Sequence, residues 1–248
     1  MLCSLTLVLV ANAGNDAYPV TEYQWATAPT IDGKWTTPSE WTDGPIFTMS
    51  NNSFYEYKMD FTTFAIAWLV ESHGDNTNDP GDLWQICLDP DNSGGGAPGS
   101  GDFKIEIQGH TTLKIYQGTG SGWSQLSGTS EILWANTMTT SPYNTAPHWV
   151  LEVEDPDKTT GTIITPQPPN GMGVFSYDAS SGKLSAWPPG SSPNVPSGWG
   201  VISGFDQAGI PEGFSIGVVV LLSSVAVTAG FYYLRKRPRI ANMSPTKL

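Results

Sequence analysis

The sequence predicts an all-β fold, a β-sandwich ectodomain followed by one C-terminal transmembrane helix, and three observations carry that prediction. Several short segments alternate apolar and polar side chains with a period of two. The composition, 27 Gly, 20 Pro and 10 Trp against only 14% charged residues, describes short strands joined by tight turns. One long uncharged run, at residues 214–234, stands apart from everything else in the chain.

The strands follow in chain order. In Tyr55-Glu56-Tyr57-Lys58-Met59-Asp60-Phe61 the large apolar side chains fall on one face and the charges on the other, which predicts a half-buried strand. Residues 64–70 are apolar on both faces and predict a central strand, and residues 83–88 predict another. Residues 103–108, 113–116 and 149–154 alternate, and a last strand is expected at 173–177. No segment before the terminal run shows a 3.6-residue apolar period, so helices should be few and two packed sheets are the expected architecture. The stretches 76–81, 90–101 and 159–171 are rich in Gly, Pro, Asn and Thr and read as loops. Residues 188–200, bracketed by Trp187 and Trp199, are expected to lie against the domain as irregular closing structure. The domain is therefore placed at residues 25–205.

The two ends read as export and anchoring signals. Residues 2–10 are apolar and lead into Ala11-Asn12-Ala13, a small-x-small pattern that predicts a signal peptide over residues 1–13, without a basic n-region. After a stalk at 206–213, the uncharged run 214–234 is long enough, at 1.5 Å per residue, to cross roughly 30 Å of hydrocarbon. Tyr232 and Tyr233 fall where an interfacial belt lies, and Arg235-Lys236-Arg237-Pro238-Arg239 should hold the tail, 235–248, in the cytoplasm. All 23 acidic residues precede the span, together with six of the 11 Lys and Arg, which gives the ectodomain a net charge of −17. Such a domain lacks the basic face that phosphate binding needs, which argues against nucleic acid as a partner and suits cation binding. Cys87 would be the one cysteine of the mature chain, so no internal disulfide is available and the core must hold the fold. Asn51 opens an Asn-x-Ser sequon.

The sharpest chemical motif is Asp89-Pro90-Asp91-Asn92-Ser93-Gly94-Gly95. Oxygen side chains at alternate positions followed by Gly can wrap a hard cation, and Asp102 could close the shell, which makes Asp89, Asp91, Ser93 and Asp102 a candidate calcium site. An Asx-rich turn accounts for the same residues, and neither the distal Glu nor the flanking helices of an EF-hand are present. Asp75-Asn76-Thr77-Asn78-Asp79 is a second candidate of the same kind. Among the aromatic residues, Trp68, Trp84 and Trp149 occupy strand positions and are expected in the core. Trp123, Tyr143, Trp187 and Trp199 lie in loops, where each is either a sugar-stacking platform or a buried anchor.

Ala28-Pro29-Thr30-Ile31-Asp32-Gly33-Lys34-Trp35, followed by Glu40-Trp41, resembles the opening of family 9 carbohydrate-binding modules and the related DOMON-like sandwiches. Asp82-Leu83-Trp84-Gln85-Ile86-Cys87-Leu88-Asp89-Pro90-Asp91-Asn92 is similar to a strand of the family that ends in "DPDN", and residues 148–154 to its "W..E" strand. The resemblance implies a β-sandwich and leaves the ligand open, because this fold hosts sugar binders, haem binders and adhesive domains. The expectation is a membrane-anchored surface module that binds carbohydrate or glycoconjugate or acts in adhesion, with an extracellular glycan or envelope component as partner. Two alternatives stand beside it. One is a b-type haem electron-transfer domain, for which Met59, Met172, His73, His110 and His148 are the available axial ligands. The other is a structural envelope protein without a small ligand. Enzyme activity is not expected: the three His are not spaced as metal ligands, no Gly-x-Ser-x-Gly or Cys/His pairing occurs, and Glu152 and Glu154 share a strand face without an acid/base setting.

Overall fold

A computed structural model describes residues 14–63, 65–127, 132–156 and 169–206. Within them the chain forms strands β1 (Asn15–Tyr23), β2 (Ile46–Thr48), β3 (Phe54–Met59), β4 (Ile66–Ser72), β5 (Leu83–Asp89), β6 (Phe103–Gln108), β7 (Thr112–Gly118), β8 (Trp123–Gln125), β9 (Leu133–Thr139), β10 (His148–Asp155), β11 (Asn170–Asp178), β12 (Lys183–Trp187) and β13 (Gly200–Asp206), with two single 3-10 turns. One sheet runs β1-β13-β11-β5-β6-β7-β8, with β12 also paired to β11; the other runs β2-β3-β4-β10-β9. Every ladder is antiparallel except β1 with β13.

The two sheets pack face to face. Tyr55, Tyr57, Trp68, Val70 and Leu151 from the smaller sheet meet Trp84, Ile86, Ile105, Met172 and Val174 from the larger in one core. Trp68 is fully buried and its indole N–H donates to Met172 Sδ at 3.4 Å, so even the polar edge of the largest side chain has a partner. All seven sequence-expected strands are present, and β4 is the central, two-face-buried strand anticipated for residues 64–70, with Phe64 itself outside the described residues.

Strand β3 is not half-buried as the alternation predicts. All six of its residues are buried, because the segment 24–45 folds back over the outer face of the smaller sheet. Trp41 packs there with Phe54, Ala67, Leu69 and Val150, and Trp25 and Trp35 cover their edges. Charged side chains consequently lie beneath this cover and need specific partners. Lys58 donates to the carbonyls of Thr27 and Glu40 and to Asp43 Oδ1 at 2.9 Å. Glu152 takes the indole N–H of Trp41 at 2.8 Å on one oxygen and the amides of Asp32 and Gly33, at 2.8 and 2.7 Å, on the other. The turn needs glycine: Gly33 has φ +79°, and a Cβ would stand 2.7 Å from the backbone of Asn136.

The domain limits also shift outward. Strand β1 joins the larger sheet ahead of residue 25, and β13 continues to Asp206. Strands β2, β8, β9, β12 and those two were not anticipated; β2 and β8 are only three residues long. The closing segment 188–198 does lie against the larger sheet, where the carbonyl of Pro193 receives the Trp123 indole N–H and that of Ser192 the Trp199 indole N–H. Cys87 is free and buried beside Phe175 and Trp199, and burial pushes its thiol well up. No helix among the described residues is long and apolar enough to cross a membrane; residues 1–13 and 207–248, which hold the expected signal peptide, anchor, tail and all of the expected stalk but Asp206, lie outside them.

Candidate functional site

One end of the sandwich gathers polar side chains from both sheets. The exit of β4, the start of β10, the exit of β11 and the β11–β12 turn meet there, since Ser72 stands opposite Trp149 in one sheet and Tyr177 opposite both Leu83 and Leu184 in the other. Between them opens a pocket of about 100 Å³. Five serines line it, Ser53, Ser72, Ser176, Ser181 and Ser185, together with Asn51, His73, Asp75, Asp178 and Lys183. Ser72 and Ser176 bridge the two sheets through their hydroxyls at 2.5 Å, and the Trp84 indole N–H donates to Ser72 Oγ at 2.8 Å. Asn51 stands at φ 59°, a conformation Asn tolerates, and its amide donates to the carbonyl of Leu184 at 3.0 Å.

An aromatic rim continues from the pocket. The His73 ring meets Phe54 edge-on at 4.9 Å, Phe54 meets Tyr143 at 5.1 Å, and Tyr143 meets Trp35 at 5.5 Å. Tyr143 is 47% exposed, the most exposed ring of the group. Its loop is held by Ser141, whose hydroxyl accepts from the amides of Tyr143 and Asn144 and donates to Glu71 Oε2 at 2.7 Å.

Glu71, fully buried, is the hub beneath that rim. His73 Nε2 and His148 Nε2 lie 2.9 and 2.8 Å from Glu71 Oε2, and Trp35 donates to Oε1. Burial acts to raise the Glu71 pKa, but the donors on its two oxygens outweigh it and hold the carboxyl below its usual range. Burial acts to lower His148, and its bonds to Glu71 and to the Ala146 carbonyl outweigh that and raise it. On β3, Glu56 is buried with neither carboxylate oxygen hydrogen-bonded; burial, then the charge of Glu71, pushes it up to about 9.

The acidic loop assembles as a cluster at the opposite end of β5. Carboxylate oxygens of Asp89, Asp91 and Asp102 lie within 4.8 Å of one another, Asp89 and Asp102 buried and Asp91 exposed. Asp102 Oδ1 and Asn92 Oδ1 are buried without a partner. Burial and the charges of Asp89 and Asp91 push Asp102 up to about 7. Ser93 is exposed and is tied to the loop: its amide donates to Asp89 and Asp91 and its hydroxyl to Asp89 Oδ1. The second acidic candidate is regrouped, because Asp75 converges with Asp82 and His110, all buried, rather than with Asp79. Burial pushes Asp75 up to about 6.

The four aromatics expected in loops separate, and two of them lie on strands, Trp123 opening β8 and Trp187 closing β12. Trp187 is buried among Tyr18, Phe47 and Tyr55, and Trp199 is fully buried under the closing segment, so neither offers a face to a ligand. Trp123 is partly exposed, with its N–H on Pro193 and Asn194 and Lys104 Nζ 5.4 Å from its ring. Tyr143 is the open one. Of the residues named for haem, Met59 and Met172 are core residues between the sheets, and the three His each face a carboxylate. The three His are not spaced as metal ligands along the chain, yet the fold gathers them with carboxylates: His73 and His148 share Glu71, and His110 joins Asp75 and Asp82. Linear spacing hid it, because Glu71 and His148 meet through strand register rather than through a local motif.

Two solved complexes of a carbohydrate-binding module share this architecture. A family 9 carbohydrate-binding module from Caldicellulosiruptor kristjanssonii, solved in complex with cellotriose and in complex with glucose, superposes with a TM-score of 0.50 in each case. Each is 14% identical in sequence and matches 78% of this chain, against 98% of the cellotriose-bound chain and 99% of the glucose-bound one. The likeness is one of fold. No family model matches the chain, and no curated protein matches it in sequence.

Proposed function

We propose that this chain is a non-catalytic carbohydrate-binding module, displayed outside the cell and held to the membrane through residues 214–234. The observation that carries the reading is the serine- and carboxylate-lined pocket with an aromatic rim ending in exposed Tyr143. A saccharide presents hydroxyls at its edge and C–H groups on its face, and this end of the sandwich offers a group for each: Ser53, Ser185, Asn51 and Asp178 for hydroxyls, the Tyr143 ring for a pyranose face. The pocket volume suits part of one sugar unit, with the remainder lying over the rim. The sugar-bound modules of the same architecture support the choice of ligand class. Calcium in the Asp89, Asp91 and Asp102 cluster, with Asn92 and Asp102 supplying oxygens that otherwise lack partners, would be structural.

Calorimetric titration of the full chain with cellotriose and glucose tests the site. Tyr143→Ala should weaken binding by roughly tenfold, about 1.4 kcal/mol, and Trp123→Ala should leave it unchanged. Equal affinity in the Tyr143 variant, or a loss confined to the Trp123 variant, removes the site from this end of the fold.

A further inference from the structure

Glu71, His73 and His148 present one carboxylate oxygen and two imidazole nitrogens that all lie within 4.8 Å of one another. The protonation of His148 is constrained from both sides: Nδ1 lies 2.8 Å from the Ala146 carbonyl oxygen and Nε2 lies 2.8 Å from Glu71 Oε2. Two acceptors cannot face each other in a dry site. Once Nδ1 carries its proton for Ala146, something positive must stand between Nε2 and the carboxylate. A second proton is one such occupant. A metal ion is the other, and the backbone bond at Nδ1 is the outer contact that fixes a ligating imidazole.

The donor set, two imidazoles and one carboxylate, is that of a borderline transition ion rather than of calcium or magnesium. Ligand atoms around a tetrahedral zinc centre stand about 3.3 Å apart, so the present separations of 2.8 and 2.9 Å would open by only about half an ångström. His73 lines the pocket and its side chain is 15% exposed, which gives the ion a route in.

We propose that Glu71, His73 and His148 form a binding site for a divalent transition ion, zinc by preference, open on the pocket side. The proposal stands whether or not the pocket takes a saccharide.

The test uses the full chain stripped with a chelator and titrated with Co²⁺ as a visible probe, then with Zn²⁺. One Co²⁺ per chain with ligand-field absorption of a low-coordinate site is expected, displaced by an equivalent of Zn²⁺ and not by Ca²⁺ or Mg²⁺. His73→Ala, chosen because this ligand is at the pocket wall, should weaken Co²⁺ binding at least tenfold, while Asp89→Asn with Asp91→Asn should leave it intact. Nitrogen NMR of the wild-type imidazoles supplies a readout independent of any variant, with Nε2 of His73 and His148 moving on zinc addition. Unmoved Nε2 signals would mean that a proton is the occupant, and undiminished Co²⁺ binding in His73→Ala would place the ion elsewhere; either result overturns the proposal.

Discussion

Glu152 provides a quantitative test of how the outer face of the smaller sheet is held. It is fully buried beneath the segment 24–45, and burial raises its pKa from 4.5 to about 7 despite the N–H groups of Trp41, Asp32 and Gly33 on its oxygens. A carboxyl whose folded pKa exceeds its unfolded value binds its proton more tightly in the fold. Its contribution is therefore complete below about pH 4.5 and is lost as pH rises through about 7. A shift of that size corresponds to about 3 kcal/mol, at 1.36 kcal/mol per pK unit. In a domain of this size, 1 kcal/mol moves the melting temperature by roughly 2–4 °C, so the contribution is on the order of 6–12 °C between pH 4.5 and 8. Asp75, pushed up to about 6, acts in the same direction, so the wild-type slope alone does not isolate Glu152. Comparison with Glu152→Gln does, because glutamine cannot ionise. Thermal melts of both proteins across that pH range should converge or cross toward pH 8, with the variant markedly flatter. Parallel curves would refute the assignment and would mean that the three donors keep Glu152 ionised at every pH tested.

Three further outcomes follow from the same structure. Trp68→Ala, at the centre of the core, should cost about 3–5 kcal/mol in chemical denaturation, and an unaltered midpoint would mean that the contacts to Tyr57 and Met172 carry no weight. Calcium at millimolar concentration should raise the melting temperature more than magnesium does, and Asp89→Asn with Asp91→Asn should remove the difference; equal responses to the two ions would leave the loop an Asx-rich turn. Protease added to intact cells should digest the sandwich and leave a small membrane-bound fragment, whereas protection until lysis would reverse the proposed orientation.

The strands that carry the core were legible from a period of two, as around Trp149, or from an unbroken apolar run, as around Trp68 and Trp84. What alternation could not show was whether the opposite face meets water. Glu56 and Lys58 look like a solvated face in the sequence, yet a segment more than ten residues away in the chain covers them. The Ile31-Asp32-Gly33 turn and Trp41 were legible as a motif but not as a mechanism. Only the fold shows that Gly33 and Trp41 both serve Glu152, more than a hundred residues later. Trp187 and Trp199 illustrate the converse, since a loop position flanked by Pro and Gly reads as open and both rings are instead buried. The clustering of the acidic loop was legible because Asp89 and Asp91 are neighbours in sequence. The His clusters were not, because register brings them together and a single sequence does not print register.

The placement of these groups along the strands separates two roles. Strand β5 begins beside Asp82 and ends at Asp89, and its seven residues span about 20 Å. The pocket, Tyr143 and both His-containing clusters lie at the end where β4 exits and β10 begins; the Asp89, Asp91 and Asp102 cluster lies at the other. An ion at the acidic end is too far to touch a ligand in the pocket, so its effect there can arise only through the stability of the fold. Well below the melting transition, where nearly all molecules are folded with or without calcium, removing that ion should leave cellotriose affinity unchanged. An ion on Glu71, by contrast, acts on the very groups that seat Tyr143 through Ser141 and line the pocket through His73, so at the same temperature zinc and calcium should have separable consequences for binding.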